Sequence, residues 1–318
     1  MPALRLLAIC SPQFPGLPRL RAESEAHQLD LIVAHDLAGI AEAAPGADLI
    51  FYTALAGATP PFAQVWPLTS PALRWVHSFE AGVDRLLTPG LIASPVLVTN
   101  ARGVYVESLA EFVIYGVLHF CKQGRRMAEQ QHQAQWRQFE VETLRGKRMG
   151  ILGYGTIGQA CGRAGTAFGM EIDPVRHRDR FSPADLHAWL GRLDVLVAAA
   201  PRTPETWHLI GTQELAALKP TALIVNVGRG EVIEEAALVA ALQAHTVAGA
   251  ALDVFETEPL PPEHPYWRMD NVLISPHCTD RTLNPHWIDL GMNAFADNLQ
   301  CFLHGRPFFS LVDKQAGY

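Results

Sequence analysis

The stretch KRMGILGYGTIGQACGRAGTAFGMEI, residues 147–172, carries the reading of the fold. Met149–Leu152 is an apolar run of strand length, bounded by a glycine turn. It enters Gly153-Tyr154-Gly155-Thr156-Ile157-Gly158, a G-x-G-x-x-G string. An amphipathic helix pattern then runs to about Gly169, and a second strand follows. The string alone is weak, because glycines gather in any turn; its place between strand and helix gives it meaning. There the first glycine permits the tight turn and the second lets the backbone approach a pyrophosphate. The third lets helix and strand pack closely, and the helix N-terminus turns its N–H groups to the phosphates. A dinucleotide-binding unit is expected, with Gly153, Tyr154, Gly155, Thr156, Ile157 and Gly158 at the cofactor.

The next strand bears on which dinucleotide. An acidic residue that holds the adenosine ribose belongs at that strand's end. Asp173 stands near the nominal spacing, but Pro174 follows and the strand pattern continues to Val175. The tip then falls at Arg176, His177 and Arg178, whose positive charge suits a 2′-phosphate. Arg202, in AAAPRT (198–203), is expected to converge on the same place. NADP is the expected cofactor, with NAD possible if Asp173 turns to the ribose.

Similar alternation extends in both directions. Upstream strands are expected at Leu4–Ile9, Leu31–Ala34, Leu49–Tyr52, Trp75–Ser78 and Val96–Thr99. Downstream ones are expected at Val195–Ala199, Ala222–Val225, Val247–Ala251 and Val272–Ile274. Short apolar strands between helical patterns predict an α/β protein of doubly wound parallel sheets, and 318 residues suit two domains. A long apolar helix (105–121) leads into a polar segment (122–140), expected to be an exposed helix and arm.

Composition narrows the function. A net charge of −7 argues against a nucleic-acid surface. Five scattered cysteines, none in a Cys-x-x-Cys pair, suit a reducing compartment and offer no zinc site. The thirteen histidines show no metal-ligand spacing, so no metal is expected. The run Leu6–Cys10 is too short for a signal peptide's apolar core, and no segment is long enough to cross a bilayer. A cytoplasmic protein is expected.

ALIVNVGRGEVIEE (222–235) poses the sharpest question: an arginine stands between two glycines at the mouth of an apolar strand. A surface arginine is the bland answer. Ligands of open α/β sheets bind at the carboxyl ends of strands, which gives Arg229 a second reading.

Seven motifs in order resemble the D-isomer-specific 2-hydroxyacid dehydrogenases, with the glyoxylate/hydroxypyruvate reductases as the nearest branch. They are WVHSFEAGVD (75–84), NARGVYVESLAE (100–111), GYGTIG (153–158), PRTPETWHLIG (201–211), NVGRG (226–230), GAALDVFETEPL (249–260) and SPHCTDRT (275–282). The resemblance implies a Rossmann domain (101–283), with connecting helix and dimerisation arm, inserted into a flavodoxin-like substrate domain (1–100, completed by 284–318). It implies Arg229, Glu258 and His277 as the catalytic set, and adds Pro201, Thr206, Val227, Gly228 and Asp253 to the cofactor contacts. Backbone N–H groups of Ala81, Gly82 and Val83 would hold a substrate carboxylate. Tyr52 would line the same site or belong to the core. Trp136 would reach a second subunit of a homodimer or remain a surface aromatic.

The chemistry agrees with that set. Reducing a 2-keto acid needs a clamp for carboxylate and carbonyl, a hydride donor and a proton donor. A planar guanidinium can make the paired contacts, and an imidazole titrates near neutral pH. A carboxylate beside it favours the protonated form. Cys278 adjoins His277 and, in a strand-like segment, is expected to point away and pack. The segment Cys278-Thr279-Asp280-Arg281 replaces the glycine- or alanine-rich residues of many relatives. Alternatives are phosphite or formate oxidation on the same scaffold, or a non-enzymatic dinucleotide sensor. Formate dehydrogenases of this superfamily carry glutamine where Glu258 stands.

Overall fold

The computed structural model describes residues 3–55, 59–175, 182–281 and 285–318. Arg176, His177 and Arg178 therefore lie outside the described residues. The chain divides into two compact units, residues 1–105 with 283–318, and residues 106–282.

The first unit is built on β1 (Arg5–Ile9), β2 (Asp30–Ala34), β3 (Leu49–Tyr52), β4 (Trp75–Ser78) and β5 (Leu97–Asn100), in the order β2-β1-β3-β4-β5. Every neighbouring pair is parallel, which is the flavodoxin-like arrangement. Successive side chains of a strand face opposite layers. Leu6 and Ala8 pack with Phe51, Trp75 and Phe295, whereas Leu7 and Ile9 pack with Ile50, Val76 and Val98. Both faces are covered, so the strands read as continuous apolar runs without polar alternation. The helix Pro285–His304 covers one face through Met292, Phe295 and Leu299. Phe295 stacks on Trp75 with ring centroids 5.7 Å apart.

The second unit carries β6 (Arg148–Leu152), β7 (Glu171–Val175), β8 (Val195–Ala198), β9 (Leu223–Asn226), β10 (Gly249–Leu252) and β11 (Val272–Ile274). Their order is β7-β6-β8-β9-β10-β11, again all parallel. The chain winds one way from β6 to β7 and the other way from β8 onward. That reversal between β6 and β8 marks where an open sheet of this kind takes its ligand. This is a Rossmann sheet, and the expected strands stand within two residues of their places.

The helix Val106–Cys121 lies against this sheet. A Cβ at Gly116 would come 2.7 Å from Ala251 Cβ, so the glycine sets how closely the helix packs. The exposed helix and arm expected after it are interrupted at Gln123, whose φ of 52° ends the first helix. A second helix, Gly124–His132, buries none of its residues, and no regular element follows until β6. Among the described residues no helix is long and apolar enough to cross a membrane.

One polar group sits deep in the first unit. His77 in β4 is fully buried, with Nδ1 2.8 Å from Thr99 Oγ1 and no partner at Nε2 among the described residues. Burial pushes its imidazole down to about 3, so it is neutral in the folded protein. The unfolded chain binds a proton near pH 6.5 that the folded chain does not. The contribution is therefore present above that pH and is lost as pH falls toward the folded value. Urea unfolding between about pH 7 and 5 should show a flatter pH dependence in His77→Leu than in the wild type. Parallel curves would mean that His77 has no such linkage.

Candidate active site

The turn after β6 separates two reasons for glycine. Gly153 has a φ of +94°, and a Cβ there would meet the Ala200 backbone at 2.6 Å. A Cβ at Gly158 would come 2.3 Å from Gly153 O. Packing and conformation account for both. Gly155 has neither constraint: its φ is −80°, and a Cβ would have nothing within 4 Å. The open space lies at the start of the helix Thr156–Ala167, which has no side-chain cap and no acidic residue in its first turn. N–H groups at such an end suit an anion, so the residues fit a dinucleotide pyrophosphate. Tyr154 flanks the turn, its hydroxyl lying over Gly162.

Around the neighbouring loops the structure places several of the expected residues. Asp173 is in β7, two residues before the strand's end, and its Oδ2 pairs with Arg192 Nε at 2.9 Å. It does not turn toward a ribose. Arg202 stands on the loop after β8. Its guanidinium lies over the Trp207 ring, 5.1 Å from the centroid, with Nε 3.6 Å from Glu231 Oε1. Thr206 is buried, and its hydroxyl donates to Pro201 O at 2.7 Å, so it shapes the loop after β8.

Beyond β9 the Gly-Arg-Gly element is set by backbone contact on both sides of the arginine. A Cβ at Gly228 would stand 2.6 Å from Ala200 O, and one at Gly230 would stand 2.0 Å from Phe255 C. Val227 is buried beside them. Asn226, at the end of β9, accepts from Gly228 N at 3.1 Å and donates to Arg229 O at 2.9 Å. Arg229 itself is half-buried in extended backbone, with Nη1 donating to Gly228 O at 2.7 Å.

That packing leads to the other two members of the set. Phe255, which Gly230 abuts, donates its N–H to Glu258 Oε1 at 3.2 Å. Glu258 Oε2 lies 2.7 Å from His277 Nδ1. The hydrogen bond to Glu258 raises the His277 pKa, burial opposes it, and the charges of Glu258, Asp253 and Asp280 raise it further. The imidazole is thus biased toward its charged form, with Nδ1 directed to Glu258. His277 also has a left-handed φ of 49°, uncommon outside glycine and a frequent mark of a functional position.

Asp253 explains how that conformation is held. It is 2% exposed and accepts from Ser275 Oγ (2.7 Å), Cys278 N (3.1 Å), Thr279 N (3.3 Å) and Thr279 Oγ1 (2.5 Å). Its side chain thus lies beneath the loop that carries His277. Cys278 corrects an expectation: the segment is a tight loop, not a strand, and its thiol is exposed.

In the first unit the turn after β4 has an unusual hydrogen-bond pattern. Phe79 O, Glu80 O and Ala81 O accept in turn from the Tyr105 hydroxyl, Ala101 N (3.3 Å) and Asn100 Nδ2 (2.6 Å). The N–H groups of Ala81, Gly82 and Val83 have no partner among the described residues. Consecutive unpaired amides of this kind make an anion-binding concavity. Tyr52 takes the core alternative: it is 8% exposed, its ring packs on Phe62 and its hydroxyl donates to Pro60 O at 3.0 Å. Trp136 is 95% exposed.

Residues 114–279 match the model for the D-isomer specific 2-hydroxyacid dehydrogenase NAD binding domain. A glyoxylate reductase of Aeropyrum pernix is 37% identical over 266 residues, covering 77% of this chain and 78% of its own. The chain belongs to the D-isomer-specific 2-hydroxyacid dehydrogenases. A family member from Aeromonas salmonicida has a crystal structure that aligns at a TM-score of 0.84 and 30% identity, over 98% of this chain and 99% of that one. Another, from Xanthobacter autotrophicus and in complex with NADPH and MES, aligns at 0.80 and 28% identity over 99% and 100%. This dehydrogenase is therefore an enzyme with a nicotinamide-coenzyme domain, not a sensor on a borrowed fold.

Asn226 and Asn100 hold loops of this dehydrogenase and were not singled out in the sequence. A polar residue closing a short buried strand was the available signal in both. The Glu258–His277 contact is open to a direct check. Glu258→Gln should lower the pKa of the His277 ring, read by NMR titration, because the imidazolium loses its hydrogen-bonded anion. An unchanged titration would mean that the two side chains do not meet in solution.

Proposed function

We propose that this dehydrogenase reduces small 2-keto acids of the glyoxylate and hydroxypyruvate kind to D-2-hydroxy acids, with NADPH as its preferred coenzyme. The observation that carries the reading is the 2.7 Å contact of Glu258 with His277, joined through Phe255 and Gly230 to the Arg229 loop. The bound coenzyme supplies the hydride. Arg229 holds the substrate's carboxylate and carbonyl oxygen through its planar fork, which also draws negative charge onto that oxygen. His277, with Nδ1 turned to Glu258, donates the proton from Nε2 to the new alkoxide. The amides of Ala81, Gly82 and Val83 receive the carboxylate from the substrate domain, as the three unpaired N–H groups suggest.

NADPH preference rests on charge and on kinship. Asp173, the acidic residue nearest the strand end, pairs with Arg192, and the sequence continues with Arg176, His177 and Arg178. The Xanthobacter relative is in complex with NADPH. We also infer a homodimer, since the arm carries an almost wholly exposed Trp136 and its helix Gly124–His132 buries nothing within the chain. Five unpaired thiols suit the cytoplasm.

Coenzyme-oxidation assays with glyoxylate, hydroxypyruvate, pyruvate and longer 2-keto acids test the reading. Activity confined to formate or phosphite oxidation would overturn it. Arg229→Lys should keep the fold and lose roughly 2–4 kcal/mol of transition-state stabilisation, about two to three decades in kcat/KM. Near-full efficiency in that variant would make Arg229 structural. In the wild type, kcat/KM with NADPH should exceed that with NADH by about tenfold or more, as one charge-assisted phosphate contact gives. Arg176→Asp should erase or reverse the preference. A wild-type preference for NADH would remove the argument from the arginines.

A further inference from the structure

Glu80 is a titratable group that the reaction above does not use, and it stands directly before the three unpaired amides. Its side chain turns inward. Oε1 accepts from Thr53 Oγ1 at 2.9 Å and from Ala54 N at 2.8 Å, while Oε2 accepts from Ser78 Oγ at 3.2 Å. Thr53 and Ala54 follow β3, and Ser78 ends β4. One carboxyl group therefore fastens the ends of two adjacent strands at the edge where the turn begins. The backbone of the same residue is fixed on both sides: Glu80 N donates to Ser78 Oγ at 3.3 Å, and Glu80 O accepts from Ala101 N at 3.3 Å.

A surface glutamate would not be placed this way. Burial pushes the carboxyl up, and its bonds to Ala54, Thr53 and Ser78 pull it back. A half-buried carboxyl costs stability unless something uses it, and an apolar residue would fill the same space without that cost. What it adds is orientation. With the Phe79, Glu80 and Ala81 carbonyls held by Tyr105, Ala101 and Asn100, and Phe79 N donating to Tyr52 O at 2.9 Å, the side chain of Glu80 adds the tie from the turn to Thr53 and Ala54 beyond β3.

We propose that Glu80 is a positioning residue for the substrate's carboxylate: by bridging Thr53, Ala54 and Ser78 it holds the Ala81, Gly82 and Val83 amides in the array that binds the anion. The proposal rests on the reading of those amides as the carboxylate site. It assigns Glu80 to substrate affinity and not to the chemical step. An array that holds ground state and transition state alike changes KM and leaves kcat nearly constant.

Steady-state kinetics with glyoxylate and NADPH test it, with thermal unfolding and NADPH titration of each variant alongside. Glu80→Ala should raise KM for glyoxylate about tenfold or more, with kcat and the NADPH Kd within about threefold of wild type. Glu80→Gln should restore KM to within about threefold, because the amide oxygen accepts from Thr53 and Ala54 while the amide N–H donates to the Ser78 hydroxyl. Should Glu80→Ala fail to fold, Thr53→Val and Ser78→Ala each remove one contact to the Glu80 carboxyl, and both should raise KM selectively. A KM unchanged in Glu80→Ala, or in both single-contact variants, overturns the proposal. So does a fall in kcat without a change in KM. A wild type that reduces no 2-keto acid overturns the proposed function as well, whereas normal wild-type turnover with unaffected variants overturns only the role of Glu80.

Discussion

The second unit depends on backbone meeting backbone at the carboxyl end of its sheet. Ala200, just past β8, is approached by Gly153 from one side and Gly228 from the other, and a methyl group at either position would collide with it. Gly230 meets Phe255 in the same manner. Four loops, from β6, β8, β9 and β10, are thereby drawn together with no side chains between them. Interior packing tolerates few voids and no overlaps, so contacts this close fix loop positions more tightly than flexible side chains would. The placement of Arg229 follows: it projects from a segment whose two neighbours have no freedom to shift.

Polar groups finish what the glycines begin. Asn226 and Asp253 end or follow apolar strands and are almost fully buried. Each uses its side chain to satisfy loop amides that would otherwise be buried without partners. The result is a left-handed His277 that persists because Asp253 holds the residues on both sides of it. In the first unit the turn after β4 is framed likewise, by donors from Asn100, Ala101 and Tyr105 to its carbonyls.

Much of this was legible beforehand because strands buried on both faces announce themselves. Leu49–Tyr52 and Trp75–Ser78, buried throughout, stand where their runs and flanking turns put them. The Glu258–His277 pair was also foreseeable, from the order of motifs. What pattern could not supply was direction. Nothing in the string around Cys278 says that the chain turns left-handed at His277, so the thiol expected to pack is exposed. Asp173 has the right spacing for a ribose, yet β7 runs straight through Pro174 and leaves the carboxylate beside Arg192. Tyr52 and Thr206 look available as letters, and each has its hydroxyl donated to a nearby carbonyl. Local hydrogen bonds of this kind depend on loop geometry, which no periodicity encodes.

The helix Pro285–His304 has a consequence for synthesis on the ribosome. Phe14, Phe51, Trp75 and Phe79 emerge about two hundred residues before their packing partners Met292, Phe295 and Leu299. The intervening 106–282 unit contains its whole sheet and can close while translation continues. Vectorial synthesis, which ordinarily lets the leading domain fold first, is here reversed in effect. One apolar face of that sheet must wait, exposed, until the helix Pro285–His304 has emerged. Chaperone dependence in this protein should thus belong to its first hundred residues, and truncation near the C-terminus should damage the N-terminal core.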